Sequence, residues 1–224
     1  MKISEIFKSI QGEGMYVGTP TTFVRLALCN YACSWCDTKY SWMPNYSHEW
    51  KEMTAEEVLS EIGEDGNHVC FTGGEPMVQA EQLQAVSSEL KKRDHFLTVE
   101  TNGSIYEPEK HHGLFDFWTV SPKLSGSGMR DRLDFPVLEE IFANEEGQLK
   151  FVVTSKAELS EILDILQSLD SVSPTTILQP EWYTWRDRYE EALSMLVEET
   201  ANWPCKPRVL PQLHKLIWGE KRGV

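Results

Sequence analysis

Cys29-Asn30-Tyr31-Ala32-Cys33-Ser34-Trp35-Cys36 places three thiols within eight residues, with three and then two residues between them. The stretch follows Thr22-Phe23-Val24-Arg25-Leu26-Ala27, whose β-branched and aromatic residues read as a strand with an apolar run ending at the first cysteine. The thiols therefore sit on a loop just past the C-terminal end of a strand. Cysteines so close together are poor disulfide partners for one another, but a thiolate trio on one loop can ligate a metal centre. Zinc prefers four tetrahedral protein ligands in paired spacings, and no fourth Cys or His is near; eleven residues separate Cys36 from His48. An iron–sulfur cubane normally takes four cysteines, so three would leave one iron open to a ligand that is not protein. The spacing favours the cluster, with zinc and free structural or redox thiols as the open alternatives.

The chain of 224 residues is long enough for one domain of the α/β-barrel type or two small ones, and its core needs no staples. The reading is a single domain over residues 1–224, since no repeat or low-complexity linker divides it. Of the five cysteines, Cys70 and Cys205 stand apart from the trio, which argues against a disulfide framework. Ligand thiolates need a reducing compartment, so the expectation is cytoplasmic. The N-terminus Met1-Lys2-Ile3-Ser4-Glu5-Ile6 lacks the apolar stretch of a signal peptide, and no apolar run approaches a bilayer span. A net charge of −14 argues against nucleic-acid or anionic-membrane partners.

In chain order, residues 2–9 read as a short strand, followed by the glycine-punctuated Ser9-Ile10-Gln11-Gly12-Glu13-Gly14. This is a turn or a loop that lets backbone approach a polar ligand. Arg25 is a cation in an otherwise apolar strand and needs a partner if it points inward, either an anionic substrate or an internal Glu. Residues 40–52 read as an excursion, and Thr54-Ala55-Glu56-Glu57 as a capping box opening a helix. His68–Phe71 is a strand ending in Thr72-Gly73-Gly74-Glu75-Pro76, with a helix over 79–93 that turns Leu83, Val86 and Leu90 to one face. Strands at 96–99 and 117–120 end in Glu100-Thr101-Asn102-Gly103 and Ser121-Pro122-Lys123. Residues 124–133 read as a mobile loop. A strand over 149–153, a helix capped at Ser155, a strand over 175–178 ending in Gln179, a helix over 184–198 and a last strand at 207–210 complete the series. The alternation is βαβ with parallel pairing, and polar residues recur at the C-terminal strand ends, where barrel-like folds carry their sites. Six or seven strands are too few for a closed eightfold barrel, so the fold class is α/β, a partial, open TIM-like (β/α)6 barrel.

The spacing C-x3-C-x2-C, with the strand before it and Gly73-Gly74-Glu75-Pro76 after the next strand, resembles the radical S-adenosylmethionine superfamily. There the open iron is chelated by the cofactor's methionine part, an aromatic such as Trp35 borders the adenine, and the Gly-Gly-Glu-Pro loop binds the aminomethionine group. Ile10–Gly14, Arg25, Asp37-Thr38, Ser121–Lys123 and the ending from Val209 to Val224 together resemble the 7-carboxy-7-deazaguanine synthase family, from end to end. The resemblance implies conversion of 6-carboxy-5,6,7,8-tetrahydropterin to 7-carboxy-7-deazaguanine with loss of ammonia, on the route to queuosine and other 7-deazapurines. It implies a 4Fe-4S cluster on Cys29, Cys33 and Cys36, S-adenosylmethionine as the source of a 5′-deoxyadenosyl radical, and no catalytic side chain beyond the cofactor. Carried over residue by residue, Ile10, Gln11, Gly12, Glu13, Arg25, Thr72 and Val224 would meet the substrate. Trp35, Asp37, Gly74, Glu100, Asn102, Ser121, Pro122, Lys123 and Gln179 would hold the cofactor, and Thr38 would ligate Mg2+ with the substrate carboxylate. The implied partners are a flavodoxin-like reductant protein and a second copy in a homodimer. A glycyl-radical activating enzyme shares the Cys spacing but takes a protein substrate, and a zinc-binding module is the rival from another class.

Overall fold

The computed structural model describes residues 1–64, 67–169 and 174–224. Nine strands are present among them: β1 (Lys2–Ile10), β2 (Pro20–Leu26), β3 (Lys51–Glu52), β4 (His68–Gly73), β5 (Phe96–Thr101), β6 (Phe117–Val120), β7 (Gly147–Val153), β8 (Thr175–Pro180) and β9 (Arg208–Val209). They form one sheet in the order β3-β1-β2-β4-β5-β6-β7-β8-β9, open at both ends. From β2 to β9 every pairing is parallel, whereas β1 runs antiparallel to β2 and β3. Parallel neighbours need crossovers, and the helices supply them. They are α1 (Ala55–Ile62), α2 (Ala80–Lys92), α3 (Pro108–His111), α4 (Phe135–Asn144), α5 (Glu158–Ser168), α6 (Trp182–Trp185) and α7 (Tyr189–Thr200), with α8 (Leu213–Trp218) in the tail. The strands β2, β4, β5, β6, β7 and β8, each followed by helix, are the six units the sequence leads one to expect.

The period-two alternation of the strands sorts their residues between two faces. Val24, Phe71, Val99, Val120, Leu149 and Phe151 enter the core with Leu83, Val86 and Leu90 of α2, Leu138 and Ile141 of α4, and Ile162 and Ile165 of α5. Arg25, Thr72, Glu100, Thr119 and Lys150 take the other face and line a cavity. The loop after β1 closes the N-terminal end of that inner face. Tyr16 packs edge-on against His68, Phe96 and Phe117, and the His68 ring is held at 2.9 Å by both Thr21 and Thr98 hydroxyls. Gly14, at φ 68°, is required here, because a Cβ would lie 2.2 Å from Gln148 Nε2. The cavity is thus floored at one end and opens at the C-terminal strand ends.

Several local expectations change. The antiparallel β1 and the two-residue β3 bring the strand count to nine. The capping box at Thr54 is present, Thr54 Oγ1 accepting from Glu57 N at 3.2 Å and the Glu57 carboxylate from Thr54 N at 2.8 Å. Ser155 does not cap α5; its amide instead donates to Glu158 Oε2 at 3.1 Å, as does Thr154 N at 2.5 Å. The helix expected over 184–198 is split into α6, a 3-10 turn and α7. Residues 124–133, expected as a mobile loop, fold into two 3-10 turns bound to the cysteine loop, because each turn offers carbonyls that the loop's donors satisfy.

Candidate active site

The cysteine loop is built on two backbone contacts with the segment after β4. Gly74 N donates to Leu26 O at 3.1 Å and Glu75 N to Leu28 O at 2.8 Å. This approach requires glycine, since a Cβ on Gly74 would sit 1.9 Å from the Leu28 carbonyl oxygen. Leu28 itself is held at φ 74°, a left-handed conformation uncommon for such a residue. The Glu75 carboxylate is fully buried and accepts from Met77 N, Thr101 Oγ1 and Asn102 N at 3.0, 2.7 and 2.7 Å. Burial raises its pKa against the pull of those bonds. Asn102 in turn donates from Nδ2 to Asn30 Oδ1 at 2.9 Å, so the ends of β2, β4 and β5 are tied together through one carboxylate. On the outer side Ser34 N donates to Ser127 O at 3.0 Å, Ser34 Oγ to Gly126 O at 2.9 Å and Tyr31 OH to Arg132 O at 2.6 Å.

All three thiols line the cavity. Trp42 Nε1 donates to Cys36 Sγ at 3.2 Å and Tyr31 N to Cys29 Sγ at 3.4 Å. Burial pushes the Cys29 thiol up to about 12 and raises that of Cys33, with Lys123 opposing in both cases. Unliganded Cys29 and Cys33 are thereby kept protonated, and a bound metal centre would deprotonate them. Among the described residues no three His, Cys, Asp or Glu side chains converge to hold a single metal ion. Zinc needs such convergence, whereas a cubane takes one thiolate at each of its separate corners. The donor set therefore fits the cluster better than zinc.

One cavity, about 1320 Å³ including its open mouth, unites nearly every residue singled out in the sequence. Around the thiols stand Trp35, Asp37, Thr38, Gly74, Asn102, Ser121 and Lys123. Lys123 Nζ donates to Ser121 Oγ at 3.0 Å and lies 5.5 Å from the centre of the Trp35 ring. Thr38 precedes a 3-10 turn, yet its side chain makes no capping bond there; its hydroxyl is 3.6 Å from Cys36 Sγ. Ile10, Gln11, Gly12, Glu13, Arg25, Thr72 and Val224 form a second group of lining residues. Glu100 belongs with this second group, accepting from Gln11 Nε2 at 3.2 Å and Thr72 Oγ1 at 2.8 Å. Pro122 and Gln179 are not among the lining residues. Gln179 is fully buried with both amide atoms unpartnered.

Arg25 takes the internal partner that its strand position made one option, donating from Nε to Glu5 Oε1 at 2.8 Å. The lining residues that the sequence reading passed over include Lys150 and Trp182. Lys150 carried a legible signal, a cation within an apolar strand, the same argument that marked Arg25; Trp182 carried none. Lys150 pairs with Glu13, whose second oxygen accepts from Gln212 Nε2 at 2.8 Å. Burial pushes the Glu13 carboxyl up, but the charges of Lys150 and His214 and its hydrogen bonds outweigh this and hold it below the usual range. The tail thereby enters the site. Leu213 N donates to Gly12 O at 2.9 Å, a Cβ on Gly12 would strike His214 at 2.2 Å, and Lys215 Nζ lies 3.2 Å from Asp37 Oδ2.

The radical SAM superfamily model matches residues 24–122, the stretch that holds the thiols and Gly73–Pro76. A 7-carboxy-7-deazaguanine synthase of Bacillus subtilis (strain 168) is 34% identical, the match covering 99% of this chain and 98% of that protein. One of Thermoplasma acidophilum is 33% identical over the full length of both chains. The chain belongs to the 7-carboxy-7-deazaguanine synthase family. The crystal structure of QueE from Escherichia coli superimposes with a TM-score of 0.72 at 27% identity, over 95% of this chain and 94% of that one. The fold is accordingly the open, partial barrel of radical SAM proteins. Family membership implies a 4Fe-4S cluster and S-adenosylmethionine, and the cavity suits them. It offers three thiols and the half-buried Trp35, whose Nε1 has no partner. Neither the glycyl-radical activating nor the zinc-module reading matches what these relatives are named.

Proposed function

We propose that this chain converts 6-carboxy-5,6,7,8-tetrahydropterin to 7-carboxy-7-deazaguanine with loss of ammonia. The observation that carries the reading is that one cavity holds both the cysteine trio and a polar wall of Gln11, Arg25, Thr72 and Glu100. When bound, the cluster and S-adenosylmethionine supply the radical chemistry. The protein's part is to position and to stabilise charge. Arg25 offers a guanidinium to the substrate carboxylate, a geometry suited to bidentate pairing. Glu100 and Glu13 offer carboxylate oxygens to ring N–H donors. Trp35 and Lys123 flank the cofactor's part of the cavity, and Gly74 brings backbone close to the thiol loop.

The Thr38 hydroxyl is available to a Mg2+ ion that also binds the substrate carboxylate, because the ion favours hard oxygens and retains several waters. No helix among the described residues is long and apolar enough to cross a membrane, and the working form is a cytoplasmic homodimer of one-domain subunits, residues 1–224 each, reduced by a flavodoxin-like protein. The test is anaerobic incubation of reconstituted protein with the carboxypterin, S-adenosylmethionine, Mg2+ and reductant, followed by mass spectrometry. Formation of 7-carboxy-7-deazaguanine and ammonia is expected; cofactor cleavage with the pterin unchanged would reject the substrate assignment.

A further inference from the structure

Arg25 is held from the neighbouring strand by an arrangement more specific than an ordinary cross-strand ion pair. Glu5 lies opposite Arg25 only because β1 carries a bulge between Ile3 and Glu5. Ile3 enters the core, and two residues on Glu5 faces Arg25 rather than sharing the side of Ile3. Bulges change which face a side chain takes and concentrate beside active sites. The Glu5 carboxylate accepts from Arg25 through Nε alone, at 2.8 Å, and neither Nη group donates to another of the described residues. The same oxygen, Oε1, accepts the Tyr40 hydroxyl at 2.8 Å. Phe7 backs the guanidinium, its ring centre 5.6 Å away. Tyr40 is in turn covered by Arg222 of the tail, 3.5 Å from its ring centre. Arg25 and Glu5 side chains are only 15% and 19% exposed, so the pair is shielded from solvent screening.

We propose that Glu5, braced by Tyr40, is a positioning residue for Arg25: it grips Nε so that the two Nη groups face the cavity as a preset fork for the substrate carboxylate. The inference rests on the carboxypterin reading above. A guanidinium has five donors in one rigid plane, so fixing one edge fixes the direction of the others. Without Glu5 the long side chain regains rotamers that substrate binding would have to remove.

The test is the dissociation constant of the carboxypterin, read by tryptophan fluorescence quenching on anaerobic, cluster-loaded enzyme with S-adenosylmethionine and no reductant. A second ligand, the neutral 6-carboxamide of the same pterin, is measured in parallel. Glu5→Ala should weaken carboxypterin binding about tenfold, the scale of one charge-assisted hydrogen bond. It should leave the carboxamide constant and the S-adenosylmethionine constant near the parent values. Glu5→Gln, which keeps an acceptor for Nε, should recover most of the loss. Should Glu5→Ala fail to fold, Tyr40→Phe carries the test, with a smaller loss in the same direction, again confined to the carboxylate ligand. Unchanged or tighter carboxypterin binding in these variants would overturn the inference, Glu5 then being a strand tie or a competitor for Arg25. So would equal losses for both ligands. If the parent itself binds no carboxypterin, the substrate reading fails and takes this inference with it.

Discussion

Replacing Lys150 by Met removes one member of an ion pair whose side chains are 8% and 13% exposed. Glu13 would then keep only the Gln212 amide at 2.8 Å and a more distant His214 as favourable partners. Breaking a buried pair from one side typically costs about 3–5 kcal/mol, because the remaining charge stays buried without compensation. At about 2–4 °C per kcal/mol for a chain of this size, the melting temperature should fall by about 10 °C. The pH dependence carries the diagnostic sign. In the parent, Glu13 is held below its ordinary value of 4.5, so its contribution is present above that pH and is lost as pH falls. In the variant, burial acts almost unopposed and raises the carboxyl, so folding favours the protonated form and stability is lost as pH rises. The gap between parent and variant should therefore be small near pH 5 and widen toward pH 8, by roughly the full cost above. Lys150→Met combined with Glu13→Gln should regain most of the loss, since the charge that needed a partner is gone. The assay is circular-dichroism melting of anaerobic, cluster-loaded protein across that range. A melting temperature within about 2 °C of the parent at pH 8, or a deficit that does not change with pH, would refute the reasoning.

Other outcomes follow from the same site. Alanine at Cys29, Cys33 or Cys36 should abolish brown colour and activity together, whereas alanine at the exposed Cys205 should spare both; iron and acid-labile sulfide analysis reads the difference. Gly74→Ala forces a Cβ against the Leu28 carbonyl, so the cysteine loop or its neighbour must shift by more than an ångström. The expected result is S-adenosylmethionine binding weakened at least about tenfold and a loss of about 2 kcal/mol of stability, measured by equilibrium dialysis and melting. Parent-like binding would show that the close approach is unimportant. Mg2+ should stimulate turnover of the parent, and Thr38→Ala should lose most of that response while keeping its cluster spectrum; Thr38→Ser should retain it, and an unchanged response in Thr38→Ala would move the ion elsewhere.

The sequence by itself determined the features that depend on neighbours along the chain. The thiol spacing, the strand that precedes it and the recurrence of polar residues at strand ends are local patterns, and they were enough to place the cysteines, Gly74 and Ser121–Lys123 at one edge of an open barrel. The six β/α units were legible for the same reason, since period two and period 3.6 are written within short windows. What the tertiary structure alone decided is pairing at a distance. Whether Arg25 met an internal Glu depended on a bulge that changes the face on which Glu5 lies, which no periodicity reveals. Lys150 and Glu13 lie 137 residues apart and meet only when the loop after β1 folds under the sheet. The tail reaches the same cavity, bringing Gln212, His214 and Val224 to it, because Lys215 and Arg222 find Asp37 and Glu49. The Arg25–Glu5 and Lys150–Glu13 contacts join charges that in sequence look solvated, and burial is what gives them their energetic weight.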